Sequence, residues 1–192
     1  MKSIRFLAPL LVSSLLLAGC GNTTPVASNT NSAPAAGAGM VVANPPAGCP
    51  AKSTITLKTT DFPDTTFTAE SSYLATYASM KDSVEVAIAN YAMAPDSFST
   101  GATDAGHLYA AFRLETTDKS PVGIGTYTRK SGSKMKVASP DLRSASGLVG
   151  FIGDAGSVEL KYADKQYACG TVNIDDGYAK IQGEFISKVI AR

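Results

Sequence analysis

Apolar and polar residues alternate one by one along four stretches of this chain. Successive side chains of a β-strand point to opposite faces, so a period of two indicates strands with one face in a core and the other in water. Several such strands predict an all-β fold, either a single antiparallel β-sandwich or a barrel-like domain. The alternating positions are Val84, Val86 and Ile88; Leu108, Ala110, Phe112 and Leu114; Val158, Leu160 and Tyr162; and Ile181, Gly183 and Phe185.

One stretch of the chain has a second interpretation. Between Glu70 and Met80, the spacing of Tyr73, Leu74 and Tyr77 also fits one face of a helix. The sequence therefore allows one short helix there and predicts strands elsewhere.

Clusters of small and acidic residues mark turns between the strands. Asp175-Asp176-Gly177 lies between Thr171–Ile174 and Tyr178–Phe185 and predicts a hairpin, because aspartate and glycine suit its tight turn. Ser131-Gly132-Ser133 predicts a second hairpin in the same way, and Asp154-Ala155-Gly156 predicts a third turn.

The stretch Gly147–Gly153 is apolar and rich in glycine. It predicts a buried strand with close backbone contact or a bulge. If this stretch were exposed, it would be a candidate edge for binding a partner.

The first residues of the chain have the composition of a secretory signal. Lys2 and Arg5 give a positive start, an apolar run extends from Phe6 to Leu17, and small residues follow. A run of about a dozen residues is too short to cross a bilayer, which needs roughly 20. We therefore interpret residues 1–19 as a signal peptide, with an N-terminal core helix as the alternative.

The end of that signal carries a family resemblance. Leu17-Ala18-Gly19-Cys20 resembles the lipobox of bacterial lipoproteins, a resemblance that covers residues 1–20 only. In that family the cysteine thiol receives a diacylglyceryl group, a peptidase cuts before it, and the new amine is usually acylated. The resemblance implies that Cys20 is the lipid attachment site, that the protein is anchored in the cell envelope, and, because Gly21 is not Asp, that it reaches the outer membrane if the source has one.

The residues after Cys20 differ sharply in composition from the rest of the chain. No charged side chain lies between Cys20 and Lys52, and Asn, Thr, Ser, Ala, Pro and Gly dominate. Such a stretch has too little apolar surface to offset its ordering entropy, so residues 20–48 are predicted to be a lipidated N-terminus and a disordered tether, with a partner-binding tail as the alternative. Residues 49–192 are then the all-β domain.

The two cysteines that remain after lipidation are predicted to form a disulfide. An exported protein reaches an oxidising compartment, where Cys49 and Cys169 should pair. A free buried thiol or a nucleophile is the alternative.

Four basic residues flank the predicted turn at Ser131-Gly132-Ser133. Arg129, Lys130, Lys134 and Lys136 would form a basic tip able to meet anionic surfaces such as lipid head groups. The alternative is an edge hairpin whose lysines prevent aggregation.

The remaining candidates for chemistry are few. His107 is the only histidine, and no motif of a catalytic triad or of a metal site includes it. We therefore interpret it as a half-exposed residue at the start of a strand. Asp175 and Asp176 could ligate calcium, but their spacing is not that of an EF-hand and the hairpin turn explains both.

These observations favour a non-enzymatic binding or structural module of the cell envelope. Without Lys2 and Arg5, the net charge changes from +1 to −1, which offers no electrostatic footprint for nucleic acid. No cofactor or metal is predicted, and an envelope protein is a possible partner. The alternatives are a carrier that encloses a small apolar ligand in its β-structure and, less favoured, an enzyme whose site lies around His107.

Overall fold

The computed structural model describes residues 39–60, 62, 64–96, 102 and 104–192. The predicted signal peptide, Cys20 and the first part of the predicted tether lie outside these residues. The described part forms eleven strands: β1 (Thr54–Lys58), β2 (Thr65–Thr68), β3 (Ser71–Tyr77), β4 (Met80–Ala89), β5 (Leu108–Thr116), β6 (Gly125–Thr128), β7 (Met135–Ser144), β8 (Gly147–Gly150), β9 (Ser157–Ala163), β10 (Tyr167–Asp175) and β11 (Lys180–Ala191).

Eight of these strands close into a barrel. The order around the barrel is β10, β9, β6, β7, β5, β4, β3 and β11, and β11 pairs again with β10. β1 and β2 continue outward from β11, and β8 pairs with β7. The predicted all-β fold is therefore confirmed, in its barrel form. Two pairings, β3 with β11 and β6 with β7, are parallel, so the sheet is not wholly antiparallel.

Apolar side chains fill the inside of the barrel. Phe112 and Phe185 are almost fully buried, and their rings meet edge to face with centroids 5.9 Å apart. Tyr127 is buried as well, and its hydroxyl donates a 2.6 Å hydrogen bond to the carbonyl of Gly123. Because the polar end of Tyr127 has a partner, the ring can belong to an otherwise apolar core.

An N-terminal arm, residues 39–52, covers part of the outer surface of the barrel. Val42 is buried there against Cys169 and Ile186, and the backbone N–H of Met40 donates to the carbonyl of Ala69. Met40 and Val42 belong to the stretch that the sequence assigned to the tether. The predicted disulfide between Cys49 and Cys169 is confirmed and fastens this arm to β10, with 5.7 Å between the two Cα atoms.

The described start of the connection between β4 and β5, residues 90–96, covers a second part of the outer surface. Met93 packs on a patch of alanines from neighbouring strands, among them Ala75, Ala87 and Ala111. Side chains this small let the connection approach the sheet closely. The hydroxyl of Tyr73 donates to the carbonyl of Met93 at 3.1 Å and holds it there.

β11 changes partner half-way along one of its edges. Its first half pairs with β1 through Lys180–Glu184, and its second half pairs with β3 through Lys188–Ala191. Between the two halves, Ser53 takes the place of a strand: its hydroxyl donates to the carbonyl of Ile186 and accepts from the N–H of the same residue, both at 2.9 Å. Ser53 is 1% exposed, so no bulk water could satisfy these groups in its place.

The hairpin predicted at Asp175-Asp176-Gly177 is confirmed, whereas the one predicted at Ser131-Gly132-Ser133 is wrong. β10 and β11 pair antiparallel across the first turn. β6 meets β7 in parallel and only at Thr128 and Lys136, because β9 provides the antiparallel partner of β6. The N–H of Arg129 donates to the carbonyl of Gly156 and continues that β6–β9 ladder.

The stretch between Glu70 and Met80, where the sequence allowed one short helix, contains no helix. Those residues form β3 and the start of β4, with Leu74 in the core and Tyr73 and Tyr77 on the outer face. Pairing on both edges, with β4 and β11, overrides the helical spacing.

The stretch Gly147–Gly153 was predicted to be buried, and this too is wrong. β8 occupies its first half and pairs only with β7 among the described strands, while Leu148 and Ile152 are each 61% exposed. Val149 and Phe151 are the members that pack on the core. A short hairpin with β7 therefore leaves the other edge of β8 open.

The partner change of β11 generates a stability prediction. Ser53→Ala leaves the buried N–H and carbonyl of Ile186 without partners, and each costs about 1–3 kcal/mol. We expect the free energy of unfolding, measured by urea denaturation, to fall by about 2–6 kcal/mol.

The matched control is Ser146→Ala in the exposed turn between β7 and β8. Its effect should stay within about 0.5 kcal/mol. Equal effects of the two substitutions would contradict the role given to Ser53.

Candidate functional site

Three connections meet at one end of the barrel. They are residues 129–134 between β6 and β7, residues 151–156 between β8 and β9, and residues 176–179 between β10 and β11. Hydrogen bonds between side chains and backbone join them, as described below. We call this group of connections the three-loop tip.

Asp176 is the central residue of the three-loop tip. Its carboxylate accepts hydrogen bonds from the backbone N–H groups of Ile152 at 2.6 Å, Tyr178 at 2.9 Å and Ala179 at 2.8 Å. Partial burial raises the pKa of Asp176, but these donors, helped by the charge of Arg129, outweigh it and hold the pKa below its ordinary value. The ionised carboxylate thus joins two of the connections.

Arg129 joins the remaining connection to the one between β8 and β9. Its guanidinium donates to the carbonyls of Phe151 at 3.2 Å and Ile152 at 3.5 Å, and it lies 5.7 Å from the centroid of the Phe151 ring. The backbone N–H of Ser131 donates to the carboxylate of Asp154 at 3.3 Å. Arg129 is therefore engaged within the protein.

The other three members of the predicted basic tip have a different environment. Lys130, Lys134 and Lys136 are exposed, and none forms an ion pair with a carboxylate among the described residues. Lys130 and Lys134 belong to the three-loop tip, while Lys136 lies on β7 opposite Glu115. Of the four predicted contact residues, Arg129 therefore binds within the protein, whereas the three lysines are exposed.

Exposed apolar side chains accompany these lysines. Ile152 and Tyr178 of the three-loop tip are each 61% exposed, as is Leu148 of the adjoining strand β8. β8 carries neither a charged residue nor a proline, the usual protections of a free sheet edge. This surface is therefore the best candidate for binding, and sequence reasoning missed it because an apolar, glycine-rich stretch resembles a buried strand.

A polar cluster on the outer face of β7 is a second candidate. Arg143 donates to one carboxylate oxygen of Asp141 at 3.1 Å, and its guanidinium lies 5.7 Å from the ring centroid of the buried Tyr109. The other oxygen of Asp141, Oδ1, has no hydrogen-bond partner among the described residues. Burial raises the pKa of Asp141 and outweighs the opposing effect of Arg143. No sequence motif indicated this pair.

His107 lies near this cluster and has local partners. Its ring stacks on Tyr91 with centroids 4.3 Å apart, and Nδ1 lies 3.6 Å from the carboxylate of Asp104. Asp104 is three residues earlier in the same turn and 76% exposed. His107 thus occupies the half-exposed position before β5 that its place in the sequence predicted.

A shallow groove of about 570 Å³ lies beside the turn between β3 and β4. Its lining includes Lys81, Arg113 and Glu115, together with Asp82 and Lys119, which form an ion pair of 2.8 Å. This hydrogen bond from Lys119 lowers the pKa of Asp82. The groove therefore mixes both charges and favours no one class of ligand.

The two aspartates considered as calcium ligands serve the hairpin turn. One carboxylate oxygen of Asp175 accepts the N–H of Gly177 at 2.9 Å, and Asp176 has the partners given above. Within the described ranges, no three His, Cys, Asp or Glu side chains are grouped so that they could hold a metal ion. The same residues contain no helix of the length and apolarity that a membrane span requires.

Comparisons of the chain with protein-family models, with curated proteins and with solved structures find no match. The function proposed below therefore rests on the residues and contacts of this chain.

The raised pKa of Asp141 predicts how stability depends on pH. When folding raises the pKa of a carboxyl, the contribution of that group to stability is complete at pH values below its unfolded pKa of about 3.9. This contribution is lost as the pH rises through the pKa of the folded state. Asp141→Asn, which keeps the shape without the charge, should therefore raise the free energy of unfolding at neutral pH relative to the unmodified chain. The gain should shrink as the pH falls through the raised pKa of the folded state and be gone below about 3.9, as urea denaturation at several pH values would measure.

Asp176→Asn is the control with the opposite sign. Its lowered pKa means that the ionised carboxylate stabilises the fold at neutral pH, and that this contribution is lost as the pH falls through the folded value. This variant should therefore be less stable than the unmodified chain at neutral pH and approach it in acid. If Asp141→Asn followed the pH dependence of Asp176→Asn, the account of Asp141 would be wrong.

Proposed function

We propose that this chain is a membrane-anchored lipoprotein of the cell envelope whose barrel is a non-enzymatic binding or structural module. The pattern Leu17–Cys20 after an apolar signal supports the anchor, and the uncharged stretch that follows supports a tether. The disulfide between Cys49 and Cys169 is compatible with an oxidising compartment outside the cytoplasm.

The open edge of β8 is the observation that carries the binding part of this proposal. Leu148 is 61% exposed on a strand that pairs on one side only among the described strands, and the adjoining Ile152 is equally exposed. Exposed apolar side chains that lie together on the surface of a folded protein mark interaction surfaces. Asp176 and Arg129 fix the backbone of Ile152 and so keep this surface in one arrangement.

The alternative of a carrier receives less support from the geometry. A carrier needs space inside the barrel, whereas Phe112, Tyr127 and Phe185 belong to one packed cluster of buried side chains there. Binding is therefore proposed on the outer surface.

Cys20→Ala tests the anchor. Without its thiol the chain cannot receive the diacylglyceryl group, so we expect the variant in the soluble fraction of lysed cells and the unmodified protein in the membrane fraction. Immunoblots of the two fractions, with mass spectrometry of the N-terminal peptide, measure the result.

Gly21→Asp is the matched control, because it changes the neighbouring residue and leaves the thiol in place. This variant should stay lipidated and in the membrane fraction. Retention of Cys20→Ala in that fraction would refute the proposed anchor.

A further inference from the structure

We propose that the three-loop tip, together with Leu148 of β8, rests on the surface of the bilayer that holds the lipid anchor and binds anionic phospholipid head groups there. This inference rests on the proposed function, because the anchor brings the domain to that bilayer. It adds an orientation of the barrel and the chemistry of its partner.

Ile152 and Tyr178, the exposed apolar residues of the three-loop tip, start from neighbouring positions of the backbone. The backbone N–H groups of Ile152 and Tyr178 bind the two carboxylate oxygens of Asp176, so the two residues start from neighbouring points. Both are 61% exposed, and Leu148 lies four residues before Ile152. Aliphatic and aromatic side chains of this kind insert at the boundary between head groups and acyl chains.

The charges around these residues complement an anionic surface. Lys130 and Lys134 are exposed in the same tip, and an anionic membrane surface attracts lysines that lie close to it. The nearby acidic groups have partners in the protein: Asp154 accepts from Ser131, and Asp175 lies 3.8 Å from the amine of Lys180. Lys134 also interacts electrostatically with Asp118, but neither lysine forms an ion pair among the described residues, so both amines are exposed to lipid phosphates.

The short stretch between the proposed anchor and the domain would keep the barrel close to the bilayer. Cys20 lies about 19 residues before Gly39, and an unstructured chain of that length has a root-mean-square span of about 25 Å. A domain held so near its partner experiences a high effective concentration of it, so a weak contact is enough.

The distribution of the exposed residues favours a lipid surface over a strand from a protein partner. A partner strand would pair along β8, and Leu148 is the large exposed side chain of that strand. Ile152 and Tyr178 lie beyond β8, on two different connections. A flat, deformable surface contacts all three residues at once.

Site-specific fluorescence on the full lipidated chain tests the proposal. Ile152→Cys carries an environment-sensitive fluorophore, and Ile124→Cys, at a position 67% exposed beside the start of β6, is the matched control. The proteins are reconstituted in phosphatidylcholine vesicles with and without phosphatidylglycerol. We expect a blue shift and quenching by bromine-labelled lipids at residue 152 only, and weaker signals without phosphatidylglycerol or at high salt.

Equal signals at the two positions, or no quenching at residue 152, would overturn the proposal. So would a photo-crosslinker at residue 152 that captures a protein in cells and no lipid. The same labelled chains carrying Cys20→Ala separate the two hypotheses. Quenching at residue 152 in that background would support the tip contact even if the anchor were refuted, whereas its absence in the lipidated chain would refute the contact alone.

Two lysine variants test the charge contribution. Lys130→Gln combined with Lys134→Gln should remove most of the difference between vesicles with and without phosphatidylglycerol. Lys161→Gln combined with Lys165→Gln, two exposed positions on and after β9, should leave it unchanged. Equal losses in the two double variants would contradict head-group binding at the tip.

Discussion

The barrel closes because β11 pairs with both β10 and β3. It pairs with β10 along one edge and with β1 and then β3 along the other. A strand that changes partner leaves a gap in its ladder, and buried backbone groups in that gap need other partners. At Ile186, the hydroxyl of Ser53 is the hydrogen-bond partner of both the N–H and the carbonyl. The hydroxyl of the next residue, Ser187, forms a hydrogen bond of 2.7 Å with that of Ser72.

Closure determines where this protein can bind a partner. Once the inward side chains have filled the barrel, only the outer surface is left, and two segments cover parts of it. The disulfide at Cys49 fastens one of these segments, and the alanines beneath Met93 receive the other. The three-loop tip and β8 remain uncovered, with apolar side chains that neither the core nor these segments bury.

The sequence predicted the parts of the fold that follow from local patterns. Alternation identified the strands around Val86, Phe112 and Leu160, and the turn chemistry of Asp175-Asp176-Gly177 identified one hairpin. Cysteine counting identified the disulfide. Each of these features depends on residues that are near one another in sequence or, for the disulfide, on the small number of possible pairs.

The sequence could not predict the features that depend on long-range pairing. The parallel contact between β6 and β7 arises because β9, some thirty residues later, takes the antiparallel edge of β6. The exposure of Gly147–Gly153 depends on which strands lack a second neighbour, and the pairing of Asp141 with Arg143 beside Tyr109 depends on the register of β5 and β7. Periodicity contains none of this information.

Amide hydrogen exchange at the parallel seam between β3 and β11 tests closure of the barrel most directly. The N–H of Arg192 donates to the carbonyl of Thr76 at 2.8 Å, and the N–H of Ala78 donates to the carbonyl of Arg192 at 3.2 Å. In a closed barrel these two amides should exchange far more slowly than the exposed turn at Ser146. Exchange as fast as in that turn would show that β11 does not hold β3 and that the barrel is open.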